Sequence, residues 1–331
     1  MKKRSLSLFV VLFISITALA QSYCIPGRFT KTDYFKDSSI TFFNKVVYGS
    51  AIDWQGKPEE LDMSVFMPQH NVDSLKKRPL LIFIHGGSFN GGSKTAFQNL
   101  ARLLARQGFV TASINYRLGW IIDFGRTDTS FNEDYYRAIQ DSKAAIRFLV
   151  HNAAEYGIDT SEIFLCGGSA GAMTILTDVF YTQATWDTYF PWLHKKLGAT
   201  DNSTNTLTEH YSIKGLVSMW GQIRDTALIT SKIAKRIPIL LFHGSADPVV
   251  AYAKSDTLHY PKLLNPAYGS YLIAQRYKHL GACYELNTKI NGGHGEDFSD
   301  SFLADKIGNF CASIFCGNCK SEEFSTTLNK K

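Results

Sequence analysis

The sequence predicts an α/β fold with a mostly parallel central sheet, an antiparallel N-terminal edge, helices on both faces and a short lid-like insertion. Short β-type runs alternate with helical patterns from residue 80 onward, which is typical of parallel strands joined by crossover helices. The 331 residues are 45% hydrophobic and 19% charged, so the chain can bury a large core. This composition excludes a disordered tail, a fibrous repeat and a small domain held together by disulfides alone.

The predicted parallel strands are short apolar runs, as expected for strands that are buried on both faces of a sheet. Between the first two, Thr95–Gln107 has an apolar helical face and ends before Gly108. Between the next two, Asn132 is expected to cap a helix, with Glu133 and Asp134 favourable in its first turn. The apolar spacing of this helix continues to Gly157. The strands are Leu80–Ile84, Phe109–Ile114, Ile163–Cys166, Ile213–Trp220, Ile239–Phe242 and Tyr284–Ile290.

Two regions break this alternation. Ile40–Tyr48 and Leu61–Met67 have strand patterns and flank a turn at Gln55-Gly56, which predicts the antiparallel edge. Residues 181–212 are polar and aromatic without clean periodicity, so this insertion is a candidate lid or pocket wall. Because no repeat or low-complexity linker divides the chain, residues 21–331 are predicted to form one domain.

Residues 1–20 have the pattern of a secretory signal. Three cations precede the apolar stretch Leu6–Leu19, and Ala18-Leu19-Ala20 is a small-x-small cleavage motif. An uncleaved membrane anchor is the alternative, but the stretch is short for a bilayer span. We therefore expect an exported protein, periplasmic or extracellular, with no membrane span after cleavage.

The charge balance gives no sign of a nucleic-acid partner. The chain has 35 Lys and Arg against 29 Asp and Glu. Three of the cations lie in the predicted signal, so the remainder carries 32 − 29 = +3. That small excess, without a basic cluster, excludes nucleic acid as the expected partner.

Six cysteines follow the predicted cleavage point. Cys166 lies in an apolar strand and is expected to be a buried free thiol, which leaves five cysteines and at most two disulfides. Cys316 and Cys319 have the spacing of half a zinc site, but no second pair completes four ligands. The sequence predicts a structural disulfide near the C-terminus and no metal, and it leaves the connectivity open.

A candidate nucleophile lies where a predicted strand meets a helix. Ile163–Cys166 leads into Gly167-Gly168-Ser169-Ala170-Gly171, which is followed by the helical run Ala172–Phe180. Glycines on both sides of Ser169 permit the strained turn that exposes a nucleophilic hydroxyl. An ordinary glycine turn is the alternative, and the strand–turn–helix context favours the nucleophile.

A second glycine-rich strand end is a candidate oxyanion hole. The first core strand leads into the segment His85-Gly86-Gly87-Ser88-Phe89. Backbone amides unobstructed by side chains can stabilise an oxyanion, and we expect the donors to be Gly87, Ser88 and Ala170. A structural role is more plausible for His85 than a role as a base.

The remaining members of a hydrolytic site follow later strands. Asp247 and His294 lie in loops after Ile239–Phe242 and Tyr284–Ile290, where ligands collect in open α/β sheets. The chain order Ser169, Asp247, His294 is the one expected with a nucleophile elbow. Asp225 is the reserve acid.

In this prediction His294 accepts the proton of the attacking hydroxyl and Asp247 orients the imidazole, while water later hydrolyses the acyl-enzyme. The reaction needs no metal or organic cofactor. We therefore predict hydrolysis of a carboxylic ester that is either a small molecule or linked to a polysaccharide.

The chain resembles α/β-hydrolases of the carboxylesterase type over residues 45–315. The resemblance rests on the glycine-rich motifs described above, on Ser113–Gly119 and on Asp141–Leu149. It implies Ser169 as nucleophile, Asp247 as acid, His294 as base, and Gly87, Ser88 and Ala170 as oxyanion donors.

The chain departs from the large carboxylesterases in two respects. Gly168 and Asp247 stand where those enzymes usually have Glu, and Ser88 replaces the third glycine of the oxyanion loop. The chain is also much shorter, so it resembles compact bacterial esterases, and by analogy acetyl or feruloyl esterases of plant polysaccharide.

The sequence leaves two other functions open. A serine peptidase on the same fold and a non-catalytic, hydrolase-like binding module are the alternatives. Several aromatic side chains either line an acyl pocket or pack a lid. They are Trp120, Trp186, Tyr189, Phe190 and Trp192.

Overall fold

The computed structural model describes residues 22–119, 128–255, 266–295 and 298–327. Strands and helices are numbered in chain order within those ranges. The strands are β1 Ile40–Ile52, β2 Pro58–Pro68, β3 Arg78–Ile84, β4 Val110–Ile114, β5 Ile158–Gly168, β6 Ile213–Met219, β7 Gln222–Ile223, β8 Ile239–Gly244, β9 Lys254–Ser255, β10 Ala267–Gly269, β11 Tyr284–Ile290 and β12 Glu322–Thr327. The helices are α1 Gln98–Arg106, α2 Asp128–His151, α3 Ala153–Tyr156, α4 Ala170–Phe180, α5 Gln183–Tyr189, α6 Pro191–Leu197, α7 Ser231–Arg236, α8 Ser270–His279 and α9 Asp300–Phe315.

The central sheet has the strand order β1-β2-β4-β3-β5-β6-β8-β11-β12. β2 pairs antiparallel with both β1 and β4, and the pairs from β4 to β12 are parallel. The predicted parallel sheet with an antiparallel N-terminal edge is therefore confirmed. Because β3, β5, β8 and β11 run in the same direction, the loops after them meet at one edge of the sheet.

The core lies on both faces of this sheet. Alternate residues of β3 enter two different clusters, since successive side chains of a strand point to opposite faces. Leu80 and Ile82 pack in the cluster that contains the apolar residues of α2 and α4. Leu81 and Phe83 pack in the cluster that contains those of α1 and α9. The predicted helices on both faces are confirmed.

The structure corrects the predicted start of the second helix. Helix α2 begins at Asp128 rather than after an N-cap at Asn132, and Asn132 is buried inside it. The following acids Glu133 and Asp134 do not serve a first turn but form ion pairs with Arg137 one turn further along. The helix also ends at His151, before the expected end at residue 157.

The cysteines form two disulfides, Cys24–Cys316 and Cys283–Cys319. Cys166 is a buried free thiol, as predicted, and so is Cys311. The exposed edge strand β12, the small antiparallel sheet of β7, β10 and β9, and the two helices α5 and α6 of the insertion were not predicted. None of the helices in the described ranges is both long and apolar enough to cross a membrane.

Candidate active site

Ser169 lies in the tight turn between β5 and α4. Its φ is +53°, an unusual conformation for a residue with a side chain, and its amide donates to the Met219 carbonyl over 2.8 Å. A Cβ at Gly171 would overlap the Ile84 carbonyl, and one at Gly167 would overlap the backbone of Gly171. The flanking glycines therefore let β3, β5 and α4 approach closely enough to form the turn.

The structure brings Ser169, His294 and Asp247 together. Nε2 of His294 lies 2.9 Å from Ser169 Oγ, and Nδ1 lies 2.7 Å from Asp247 Oδ2. An ionised carboxylate only accepts hydrogen bonds, so the Nδ1–H donates to Asp247 and Nε2 accepts from the serine hydroxyl. Along the chain, His294 lies 125 residues from Ser169 and 47 residues from Asp247. The fold of the sheet therefore makes them neighbours.

The side chain of Asp247 is fully buried and surrounded by donors. Its Oδ1 accepts from the amides of Val249 and Val250 over 2.7 and 2.9 Å. Burial acts to raise the pKa of this carboxyl, but the donors on His243, His294 and the Val250 amide outweigh burial and hold the pKa well below its usual range. Asp247 is therefore ionised at neutral pH and can stabilise a positive imidazolium beside it.

The glycine-rich loop after β3 packs directly on the serine turn. A Cβ at Gly86 would come within 3.0 Å of Ser169 Cβ, which only a glycine avoids. Ser88 and Phe89 both have positive φ, at +53° and +60°, so the loop is tightly wound. Ala170 is the first residue of α4, and its amide has no acceptor within that helix.

His85 supports this loop from below the surface. It is 1% exposed, its Nδ1–H donates to the Gly86 carbonyl over 2.7 Å, and its ring stacks on Tyr116 at 4.3 Å. Burial lowers the pKa of His85 to about 4, although the bond to Gly86 opposes that effect. A neutral, enclosed imidazole at this position fits the structural role expected from the sequence.

The Ser113–Gly119 motif holds the same region together. Tyr116 donates from its hydroxyl to the His85 carbonyl over 3.0 Å. Arg117 forms a buried ion pair with Asp141 of α2, over 2.8 Å. The motif thus connects the end of β4 to the loop after β3 and to helix α2. The residues that resemble carboxylesterases here stabilise the loops around Ser169 from behind.

Asp225 does not join the three side chains. Its carboxylate accepts from the Ala227 amide over 2.7 Å and caps the short turn Thr226–Leu228. The sequence already favoured Asp247 over this residue.

The aromatic residues of the insertion have different environments. Trp186 is 2% exposed and packs edge-to-face on Tyr135 and Tyr136 of α2. Tyr189 and Phe190 lie beside the Arg224 guanidinium, at 5.0 and 5.8 Å from the ring centres. Trp192 is half-buried against the core, and Trp120 lies outside the described residues.

Sequence reasoning missed two residues beside the site. Trp220 follows β6 with a φ of +55°, and its ring lies 6.2 Å from that of His294. His243, at the end of β8, is fully buried and lies next to Asp247. Its position four residues before the candidate acid, at the end of the same strand, was the available signal.

Several curated proteins share part of this sequence. Gut esterase 1 of Caenorhabditis briggsae is 31% identical over 123 residues, which cover 37% of this chain and 20% of that protein. Neuroligin-like protein glit-1 of Caenorhabditis elegans is 31% identical over 115 residues, 35% of this chain and 15% of that protein. The isoprenylcysteine alpha-carbonyl methylesterase ICME of Arabidopsis thaliana is 27% identical over 243 residues, 65% and 52% of the two chains. The chain thus spans at most about half the length of these relatives.

Solved structures share the fold over most of the chain. A truncated form of a carbohydrate esterase from gut microbiota superposes with a TM-score of 0.57 at 19% identity, covering 85% of this chain and 99% of that one. The propionate-bound esterase Est2 of Thermogutta terrifontis has a TM-score of 0.55 at 18% identity, covering 86% and 97%. At these identities the likeness concerns the fold.

The sheet order, the serine turn and these neighbours define the chain as an α/β-hydrolase of the carboxylesterase type. The model of the BD-FAE family matches residues 63–235, just over half of the chain. The protein therefore belongs to the BD-FAE family.

Proposed function

We propose that this protein is an exported serine esterase that hydrolyses carboxylic esters through an acyl-enzyme. Ser169 is the nucleophile, His294 the general base and then acid, and Asp247 the orienting acid. The observation that carries the proposal is the unbroken chain of hydrogen bonds from the Ser169 hydroxyl through His294 to Asp247.

The reaction follows from this arrangement. As Ser169 Oγ attacks the ester carbonyl, its proton moves to His294 Nε2, and the imidazolium is stabilised by the ionised Asp247. The C–O bond to the alcohol then breaks, and His294 returns the proton to the departing oxygen. Water attacks the acyl-enzyme in the same manner, which releases the carboxylic acid and restores the serine.

The amides of Gly87, Ser88 and Ala170 form the oxyanion hole in this proposal. The close packing of Gly86 on Ser169 supports it, because both loops must meet where the carbonyl oxygen gains negative charge. The position of Ala170 at the start of α4 adds a donor without an intrahelical acceptor, at the positive end of the helix dipole.

The substrate is proposed to be an ester on a small molecule or on a polysaccharide. The structural neighbours, a carbohydrate esterase and an esterase with bound propionate, support testing both kinds of ester. Tyr189, Phe190 and Trp192 are the proposed aromatic wall of an acyl pocket. The near-complete burial of Trp186 favours a packing role for that side chain.

Export is part of the proposal. Two disulfides are typical of proteins that mature in an oxidising compartment, and residues 1–20, which lie outside the described ranges, have the pattern of a cleavable signal.

Fluorophosphonate labelling and ester hydrolysis test this function directly. We expect residues 21–331 to be labelled on Ser169 and to hydrolyse p-nitrophenyl esters, while Ser169→Ala abolishes labelling and lowers kcat by about 10^4-fold or more. Asp247→Asn is expected to retain labelling at a much lower rate and to lower kcat by about 10^3- to 10^4-fold, because the imidazole loses its orientation. The matched control is Ser161→Ala, which changes an exposed serine in the first half of β5, away from the turn at Ser169.

Two other outcomes would indicate different functions. Faster cleavage of aminoacyl anilides than of esters would identify a peptidase. If the wild type and Ser169→Ala both bind a ligand without turnover or labelling, the protein is a binding module. The similarity to a neuroligin-like protein is the reason for testing this alternative.

A further inference from the structure

We infer that His243 is a second histidine of the active site, a positioning residue that holds Asp247 from the side opposite His294. The inference rests on the proposed esterase function. In the sequence His243 is simply a residue at a strand end, and no substrate could touch its fully buried side chain. Its effect must therefore pass through the acid.

The imidazole of His243 faces two parts of the Asp247 loop. Nε2 lies 3.2 Å from Asp247 Oδ2 and 3.1 Å from the Val250 carbonyl oxygen. Both are acceptors, so Nε2 carries the proton and its N–H lies between them. Asp247 Oδ2 thus has a ring N–H on two sides, from His294 at 2.7 Å and from His243.

The second contact fixes the loop as well as the carboxylate. The carbonyl of Val250 accepts from His243 while its amide donates to Asp247 Oδ1 over 2.9 Å. Losing His243 would remove a hydrogen bond that fixes Val250, the residue whose amide aligns the other carboxylate oxygen. One imidazole therefore constrains both oxygens of Asp247, one directly and one through the backbone.

The far side of the ring is fixed by Ser270. Nδ1 of His243 lies 2.8 Å from Ser270 Oγ, and Ser270 is fully buried at the start of α8. The Tyr252 ring packs edge-to-face on the imidazole at 5.7 Å. Ser270 directly follows β10, so the small sheet of β7, β10 and β9 places this hydroxyl. Through Ser270, the small sheet therefore helps to hold the His243 ring in place.

These contacts form a continuous line of polar contacts through five side chains, in which Nε2 of His243 lies 3.2 Å from Asp247 Oδ2. It runs from Ser169 through His294, Asp247 and His243 to Ser270. A merely structural histidine would affect folding alone. A positioning histidine also changes how strongly the Asp247 carboxylate attracts the proton on its other neighbour.

The test compares His243→Leu with His243→Gln in the disulfide-bonded protein. Leucine removes the ring N–H, whereas the glutamine side-chain amide can place a donor near the position of Nε2. We expect His243→Leu to lower kcat by roughly 10- to 100-fold, the usual effect of losing a hydrogen bond to a charged group, with KM changed less than about twofold. His243→Gln is expected to recover most of the activity.

The pH profile separates positioning from folding. Without the His243 N–H, the carboxylate is more basic and the His294–Asp247 pair holds its proton more tightly. The acid limb of kcat/KM is therefore expected to move to higher pH in His243→Leu and to stay near the wild-type position in His243→Gln. Tyr277→Phe, which removes a buried hydrogen bond of α8 to the Ile237 carbonyl, is the control for destabilisation alone.

Each outcome is decisive. If His243→Leu loses thermal stability, as Tyr277→Phe does, but keeps the wild-type kcat and acid limb, the inference is wrong. Should His243→Leu fail to fold, Ser270→Ala takes its place, with an expected loss below about tenfold and a shift of the acid limb in the same direction. An unchanged profile in that variant would equally overturn the inference. A wild type that neither hydrolyses esters nor reacts with fluorophosphonate would contradict the proposed function instead.

Discussion

Asp247 and His85 show how two buried titratable groups acquire opposite charge states. Asp247 has backbone amides on one oxygen and histidine N–H groups beside the other, so it stays ionised despite burial. His85 has one hydrogen-bond partner for its ring, the Gly86 carbonyl, and its buried Nε2 has none among the described residues. The donors around Asp247 outweigh the cost of burying its charge, whereas the single hydrogen bond of His85 does not offset its burial.

This difference predicts a pH dependence of stability that is specific to His85. Its pKa is lowered by burial from 6.5 to about 4, so between these values the unfolded chain binds more protons than the folded chain. The free energy of unfolding should therefore fall as pH drops from about 6.5 to about 4, with a contribution of roughly 2–3 kcal/mol from this group. Urea unfolding of wild type and His85→Phe across this range measures it.

The phenylalanine retains a ring against Tyr116 and cannot titrate. The stability of His85→Phe should therefore depend less steeply on pH over this range. Parallel curves for the two proteins would show that His85 is not the group that titrates.

At the scale of elements, the site depends on the close approach of β3, β5 and α4. Gly171 of α4 touches the end of β3, and Gly86 after β3 touches the serine turn. These contacts explain why glycines flank both motifs, since a side chain at either position would separate the Ser169 turn from the loop after β3. The packing of β3, β5 and α4 against one another therefore holds the loop after β3 beside the turn at Ser169.

Gly171→Ala tests this packing. The added Cβ would meet the Ile84 carbonyl, so we expect a loss of about 1–3 kcal/mol in unfolding free energy and a clear loss of kcat. Without that clash, alanine would stabilise a helix by about 0.5–1 kcal/mol.

Gly91→Ala is the matched control, because nothing lies within 4 Å of a Cβ at that position. Chemical denaturation and ester hydrolysis measure both variants. A stable and fully active Gly171→Ala would show that α4 can move away from β3 without harm to the site.

At the scale of the whole molecule, the disulfides connect segments that lie far apart in sequence. Cys24–Cys316 joins the N-terminal segment to the end of α9 and closes a separation of 292 residues. Cys283–Cys319 closes 36 residues and links the start of β11 to the segment before β12. Since the entropy lost by the unfolded chain grows with the enclosed loop, the first bridge should contribute more to stability.

We predict a measurable difference between the two bridges. In the chain-entropy relation, replacing both cysteines of Cys24–Cys316 by serine should cost about 2 kcal/mol more than the same change at Cys283–Cys319. Guanidinium unfolding of the two double variants tests this ranking, with reduced wild type as the reference for loss of both bridges. An equal cost would mean that native-state contacts, rather than loop closure, set the contribution of each disulfide.

Some features were missed because their signals are not local. The acids after Asn132 suggested the first turn of a helix, yet they pair with Arg137 inside a longer helix. Strand β12 has little apolar character, and its pairing with β11 identifies it as a strand. His243 stands four residues before Asp247 in the sequence, but its importance depends on the 3.2 Å distance between the two side chains in the folded protein.

The sequence by itself determined the fold class, the order in which the candidate site residues follow the strands, and the limit of two disulfides. These follow from apolar runs, glycine-flanked turns and residue counts, which are local properties of the chain. Only the tertiary structure decided the cysteine pairing, the start of α2 and the groups around Asp247. Each of these depends on distances between residues that are far apart in sequence, and such distances are fixed only when the sheet and its covering helices pack together.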